Sequence, residues 1–338
     1  MVRVGIAGVG FMGWIHYLAL RRLPAARLQA VATRDPVKRS GDWRSIRGNF
    51  GPPGEVVDLS SVRTYPSVQG LVADPEIDLV DLCLPSDQHA DSAILALEAG
   101  KHVLVEKPIA LTLQDADRMV AAARRADRLL MVAHVLPFFP DFGYLAKAVE
   151  SRAHGALVAA HFRRHISPPD WSDAFADADR TGGPAIDLHI HDAHFIRMIG
   201  GMPRSVHAVG RISDGRVDYI ATNYLYPDGP VISATSGACS VGSRPFTHGY
   251  EAYFQNATIF YEASTGLTAY TPDGSSKPEL AAADPVDSFV EELGAAVEAA
   301  RAGRAPDVLS GDLARDALAL CLAEQESVRT GDVVRVGG

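Results

Sequence analysis

The chain has 338 residues, of which 47% are hydrophobic, and a formal net charge of -9 at pH 7. That length suggests two domains with sizeable cores, and the acidic balance argues against a nucleic-acid partner, because phosphate contacts need clustered Lys and Arg. No apolar run approaches the ~18 residues of a membrane helix, and Met1-Val2-Arg3 leads straight into a strand pattern, so a cytoplasmic protein with no membrane partner is expected.

Val2 to Gly13, VRVGIAGVGFMG, joins an apolar β-like run to Gly8, Gly10 and Gly13 in G-x-G-x-x-G spacing, and a helix-like segment follows from Trp14 to Arg22. Strand, glycines and helix in that order form the context of a dinucleotide fingerprint. Gly8 permits the tight turn, Gly10 the approach of a pyrophosphate, and Gly13 the close packing of the helix. With Phe11 and Met12 in the turn, the phosphates would sit on the free N–H groups of the new helix.

The second strand reads Leu28 to Ala32. Thr33 and Arg34 stand at its end, where NAD enzymes hold a carboxylate about 20 residues past the last glycine. A hydroxyl followed by a guanidinium suits a 2′-phosphate, which a carboxylate would repel. NADP is therefore expected over NAD, with Asp35 as a ribose acceptor in the competing reading.

From Pro36 to Pro75 the text is irregular, and Gly51-Pro52-Pro53-Gly54 marks a loop. Ile77 to Leu84 resumes a strand, followed by Pro85 to His89 and a helix from Ala90 to Ala99 that Gly100 closes. Lys101 to Val105 makes the next strand, with Glu106-Lys107-Pro108 at its carboxyl end. The carboxyl ends of strands in open parallel sheets face the ligand crevice, so Leu84, Pro85, His89, Glu106 and Lys107 are expected to line the same cleft as Gly8 to Gly13. Cys83, Cys239 and Cys321 are too few and too far apart for a disulfide framework or a Cys-type zinc site and read as small core residues.

Gly8-x-Gly10-x-x-Gly13, Cys83-Leu84-Pro85 with His89, and Gly100-Lys101-His102-Val103 running into Glu106-Lys107-Pro108 together resemble the glucose–fructose oxidoreductase, inositol dehydrogenase and rhizopine-catabolism (Gfo/Idh/MocA) family. The resemblance implies an N-terminal Rossmann domain, a C-terminal α+β domain with a large open, mostly antiparallel sheet, and NAD(P)-dependent chemistry on sugars, cyclitols or polyols. Leu84 departs from the threonine usual in the family, a change that a backbone contact survives and a side-chain hydrogen bond does not.

Chemistry singles out Lys107 independently. Oxidising a secondary alcohol requires the hydroxyl proton to leave as hydride moves, so a base must lie near the carbinol. A lysine beside a cationic ring, partly desolvated, is tuned toward that task.

Arg128 to His134 reads as the last strand of the first domain, and Pro137 and Pro140 break the pattern. The expected division is a nucleotide-binding domain over 1–135 and a substrate-binding and oligomerisation domain over 136–338. Ala156 to His165 enters the second domain as a strand. Trp171, in the polar loop after it, offers a flat face for a sugar ring.

Gly182-Gly183-Pro184 starts a helix containing AIDLHIHDAHFIRMIGG. On a 3.6-residue period Asp187, His191 and His194 share one face, while His189 points elsewhere. A carboxylate one turn before a histidine orients the imidazole and supports its charged form. By type the three side chains also suit a metal, or they satisfy one another in the interior, but the dehydrogenase signature needs no metal and none is expected. The family resemblance implies substrate-contacting acid and base groups at Asp187 and His191, in a Gly-Gly-x-x-x-Asp-x-x-x-His pattern, and puts His194 at the substrate where many members carry Asp.

Ser205 to Ile212, Val217 to Tyr226, Val231 to Ala238, Tyr250 to Phe254 and Ala257 to Tyr261 read as successive strands with short connections. One face of such a sheet takes helices, and a second subunit covers the other, so a homodimer or homotetramer is expected. Val286, Phe289, Val290, Leu293 and Val297 form a stripe at helical spacing, and Asp312 to Arg329 is a second amphipathic helix. The reading is an NAD(P)-dependent dehydrogenase or reductase in which Lys107, Asp187 and His191 are catalytic. The alternative is a redox-assisted glycosidase or lyase with tightly bound cofactor.

Overall fold

A computed structural model describes residues 1–168, 178–280 and 284–336. Among them no helix is long and apolar enough to cross a membrane. The chain forms two compact units, Met1–Phe138 with Ala283–Arg315, and Phe139–Ala282 with Asp316–Gly338.

The first unit alternates strands and helices: β1 (Val2–Ala7), α1 (Phe11–Leu20), β2 (Ala26–Ala32), α2 (Pro36–Arg39), β3 (Arg63–Tyr65), α3 (Val68–Val72), β4 (Leu79–Leu82), α4 (His89–Glu98), β5 (His102–Glu106), α5 (Leu113–Ala126) and β6 (Leu130–Ala133). The strands form a six-stranded parallel sheet in the order β3-β2-β1-β4-β5-β6. The order reverses at β1, and the crevice at such a switch point is where nucleotides bind. Helices cover both faces of a sheet of this kind, and β4 (LVDL) is accordingly buried at every position. Local signals set the helix ends: the Thr112 hydroxyl accepts from Asp115 N at the start of α5, and Asp127 takes a left-handed conformation after its last turn.

The second unit begins with α6 (Pro140–Ser151) and β7 (Leu157–His165), followed by the short helices α7 (Ala178–Thr181) and α8 (Pro184–Asp187) and the longer α9 (Ile190–Gly200). Strands β8 (Ser205–Ser213), β9 (Arg216–Leu225), β10 (Val231–Gly237), β11 (Thr247–Phe254), β12 (Thr258–Glu262), β13 (Gly266–Thr271), β14 (Gly274–Ser276) and β15 (Val334–Arg335) complete a nine-stranded sheet, ordered β14-β13-β12-β11-β7-β10-β9-β8-β15. It is antiparallel apart from the β7·β10 pair. One face packs on helices through Phe162, Tyr250 and Phe195. Val209, Val231, Tyr253 and Tyr270 remain exposed.

Helix α10 (Asp287–Ala302) returns to the first unit and packs against α1. The expected division at 135/136 does not contain this return. Its cause is the apolar stripe Phe289, Leu293 and Val297, which is buried there together with Ala296. The chain closes with α11 (Gly311–Thr330) before β15.

Candidate active site

The glycine turn has the form a dinucleotide needs. Gly8 has φ +98°, and a Cβ there would drive into the Cys83 carbonyl, while a Cβ on Gly13 would meet the Gly8 carbonyl. Gly10 has open space on the side a Cβ would occupy and caps α1 without a side-chain hydrogen bond. The first turn of a ten-residue helix thus presents its N–H groups where phosphates can approach. The Phe11 ring meets Phe50 edge-on at 4.8 Å, and Trp14 Nε1 donates to Pro52 O at 2.8 Å, so the Gly51–Gly54 loop is held against α1.

Beyond β2, Thr33 is half-buried and Arg34 exposed. The Asp35 carboxylate accepts from Val37 N and Lys38 N and so caps α2, a structural use that the ribose reading did not include. Arg39 Nη1 donates to the carbonyls of Thr33 and Arg34 at 2.7 Å and 2.9 Å, stiffening this edge. Lys38 was not among the residues singled out from the sequence. Its Nζ donates to Val9 O in the glycine turn at 2.8 Å.

Leu84 and Pro85 follow β4, and Lys107 follows β5, at the sheet end that carries the glycine turn; Cys83 N donates to Ala7 O at 2.8 Å across that end. Lys107 is half-buried and precedes a cis bond to Pro108. Two residues expected to line the cleft face inward. His89 is fully buried, with Nδ1 2.8 Å from Pro108 O and Nε2 2.9 Å from Leu84 O. It ties the loop after β4 to the segment after β5, and burial lowers its pKa. Glu106 is buried as well, and its Oε2 accepts from Lys107 N at 3.1 Å.

Beneath Lys107 lies a buried polar cluster that the sequence reading did not single out. His16 Nδ1 is 2.9 Å from Asp81 Oδ2, and its Nε2 is 3.1 Å from Glu106 Oε1. Cys83 Sγ lies 3.4 Å from His16 Nδ1 and donates to Asp81 Oδ1 at 3.6 Å. Burial alone would depress the His16 pKa, but the Asp81 carboxylate outweighs it and holds the imidazole well above its ordinary range. Burial raises the Cys83 pKa, keeping it a thiol. Glu292, on α10, is fully buried; burial raises its pKa well above the usual carboxylate range. The sequence signals were Asp81 in the middle of the apolar run IDLVDLCL and His16 on a helix between apolar residues. A buried carboxylate without a partner is costly, so Asp81 alone demanded one.

In the second unit, Asp187 ends α8 and His191 stands in the first turn of α9; both are half-buried. The expected single helix is two, with Leu188 and His189 forming the turn between them. His194 is fully buried within α9. Trp171 lies outside the described residues. His189 is buried, with Ser236 Oγ 2.8 Å from Nδ1 and Glu324 Oε2 2.8 Å from Nε2. On β7, Arg164 and Arg163 face opposite ways as strand alternation requires. Arg164 makes a buried bidentate pair with Asp192, at 2.8 Å and 2.9 Å, and Arg163 pairs with Glu262 at 2.9 Å. Among the cysteines Cys321 is buried, whereas Cys239 is exposed and so is not a core residue.

A parallel sheet with an open glycine turn at its switch point, and a lysine at the same end, defines a dinucleotide-binding domain. Residues 2–134 match the model of the GFO_IDH_MocA oxidoreductase family, described as an NAD-binding Rossmann fold, and residues 142–260 match that family's C-terminal domain. The chain is 29% identical to myo-inositol 2-dehydrogenase of Thermotoga maritima over 98% of this chain and 100% of that protein. It is 32% identical to trans-1,2-dihydrobenzene-1,2-diol dehydrogenase of Sus scrofa over 72% of this chain and 69% of that protein. Its fold matches levoglucosan dehydrogenase in complex with NADH and L-sorbose with a TM-score of 0.87, at 20% identity over 100% of this chain and 99% of that one. The chain belongs to the Gfo/Idh/MocA oxidoreductase family, as its motifs suggested, and its first unit is that family's NAD-binding Rossmann domain.

Proposed function

We propose that the enzyme oxidises a secondary alcohol of a sugar, cyclitol or related polyol, or reduces the corresponding ketone, and that it prefers NADP(H). The observation that carries the reading is the half-buried Lys107 at the β5 terminus, at the sheet end that also bears the Gly8–Gly13 turn. Relatives named for inositol and dihydrodiol substrates support the substrate class.

Gly8, Gly10, Phe11, Met12 and Gly13 would hold the pyrophosphate, and Leu84, Pro85 and Lys107 would line the nicotinamide end. When bound, the nicotinamide supplies the acceptor or donor of hydride. Lys107 removes the hydroxyl proton in oxidation and returns it in reduction. His191 donates to or accepts from the substrate oxygen, and Asp187 orients His191 and accepts from a neighbouring hydroxyl. The preference for a 2′-phosphate is supported by Thr33, Arg34 and the Lys38 ammonium, with Asp35 engaged in capping α2.

A second copy of the chain would cover the exposed Val209, Val231, Tyr253 and Tyr270 of the large sheet. Sedimentation of a dimer or tetramer supports that assembly, and a monomer at micromolar concentration refutes it.

The test of the whole reading is a screen of sugars, inositols and their keto forms with NADPH, NADP, NADH and NAD, followed by nicotinamide absorbance. One cofactor converted per product supports it. Product formed with no net cofactor change refutes it in favour of redox-assisted cleavage.

A further inference from the structure

The cluster under Lys107 is larger than its packing requires. Three elements each contribute one charged or chargeable side chain: α1 gives His16, the middle of β4 gives Asp81, and the end of β5 gives Glu106. Their side chains are 0%, 1% and 9% exposed, so water cannot substitute for any partner. An ionised carboxylate offers only lone pairs, and a bare imidazole nitrogen 3 Å away would repel it. A ring hydrogen-bonded through Nδ1 to one carboxylate at 2.9 Å and in ion-pair contact, outside hydrogen-bond geometry, with a second carboxylate 3.1 Å from Nε2 is favoured as the imidazolium.

We propose that His16 and Asp81 are positioning residues for Lys107 and act through Glu106. The relay is linear. Asp81 fixes the ring of His16 by a hydrogen bond, the charged ring holds Glu106 Oε1 as an ion pair 3.1 Å from Nε2, and Glu106 Oε2 accepts the Lys107 backbone N–H at 3.1 Å. Lys107 is thereby anchored to α1, the helix that starts at the glycine turn, and to β4, the strand hydrogen-bonded between β1 and β5. Cofactor turn and base are held in one frame by a chain of three side chains. A misplacement of the reacting group by about 1 Å costs roughly 100-fold in rate, which is the error such a frame prevents.

Four further groups among the described residues face these three. Cys83 offers a thiol to Asp81 from the end of β4. Glu292, on α10, interacts with the same three residues, and burial raises its pKa, which disfavours a further negative charge beside them. Phe289, on α10 as well, closes the remaining side with its ring 6.2 Å from that of His16. His89, from α4, faces Glu106, and its own pKa is lowered by burial.

The inference rests on the reading of Lys107 as the acid/base group, and the experiment separates the two. The first measurement is 1H–15N NMR of His16 in the wild-type apo-enzyme at pH 8, where both ring nitrogens are expected to be protonated; a neutral ring overturns the relay whatever any variant does. The second compares Lys107→Ala and Asp81→Asn, using the polyol that the screen above identifies and NADPH fluorescence for cofactor binding. Asparagine keeps the shape of Asp81 and an acceptor for Nδ1–H but removes the charge. The expected result for Asp81→Asn is kcat lower by about 10-fold or more, with substrate KM and cofactor affinity unchanged. Full kcat in Asp81→Asn beside an inactive Lys107→Ala overturns the positioning role alone. Full turnover in Lys107→Ala overturns the reading of Lys107 and the relay with it. Should Asp81→Asn fail to fold, His16→Gln takes its place under the same criteria.

Discussion

Lys38 Nζ donates to the Val9 carbonyl oxygen at 2.8 Å, joining the helix after β2 to the middle of the glycine turn. Under the proposed preference for NADPH, an ammonium fixed there would join Thr33 and Arg34 as a donor to the phosphate on the adenosine ribose. A hydrogen bond to a charged group contributes about 1.5–3 kcal/mol. Lys38→Ala is therefore expected to weaken NADPH binding by roughly 10-fold while changing NADH binding little. Titration of both cofactors by fluorescence checks this; an equal loss for the two would show that Lys38 serves the turn alone.

Glu292 makes the stability of the first unit depend on pH. Its folded pKa is raised above the ordinary 4.5 by burial, so its contribution is fully present below that value and is lost as pH rises through the folded pKa. His16 acts in the same direction, since its folded pKa is raised above 6.5; its contribution is complete below 6.5 and fades on the alkaline side. Glu292→Gln needs no proton to remain neutral. The variant is expected to melt about 2 °C or more above wild type at pH 8 and to match it near pH 4. Melting curves at the two pH values decide, and a lower melting point for the variant at pH 8 contradicts the account.

Arg164 and Asp192 form a bidentate pair with side chains 5% and 1% exposed. Removing one member of such a pair leaves a charge buried and uncompensated, which costs about 3–5 kcal/mol. Asp192→Ala is expected to lose stability on that scale in denaturant titration, whereas Arg163→Ala, on the opposite face of β7, should change it by about 1 kcal/mol or less. Equal losses would mean that the two arginines are not in different environments.

Much of the first unit was legible because its signals are local. A glycine run needs no distant partner to be read, and Glu106-Lys107-Pro108 announces itself by strand end and composition. The capping of α2 by Asp35 was less legible, since the same carboxylate also suited a ribose hydroxyl. Pairings distant in sequence stayed hidden: Asp81 signals that it needs a partner, but nothing in the text says that His16, 65 positions earlier, supplies it. The return of α10 was hidden for the same reason, because an apolar stripe reports that a helix is buried and not against what. The helical period put Asp187, His191 and His194 on one face by assuming an unbroken helix, and the turn at Leu188–His189 breaks that assumption.

The acid/base assignment of Lys107 is tested most directly by the turnover of Lys107→Ala with the identified substrate and saturating cofactor. Loss of proton transfer predicts kcat reduced by about 100-fold or more with cofactor affinity retained. Turnover equal to wild type would contradict it.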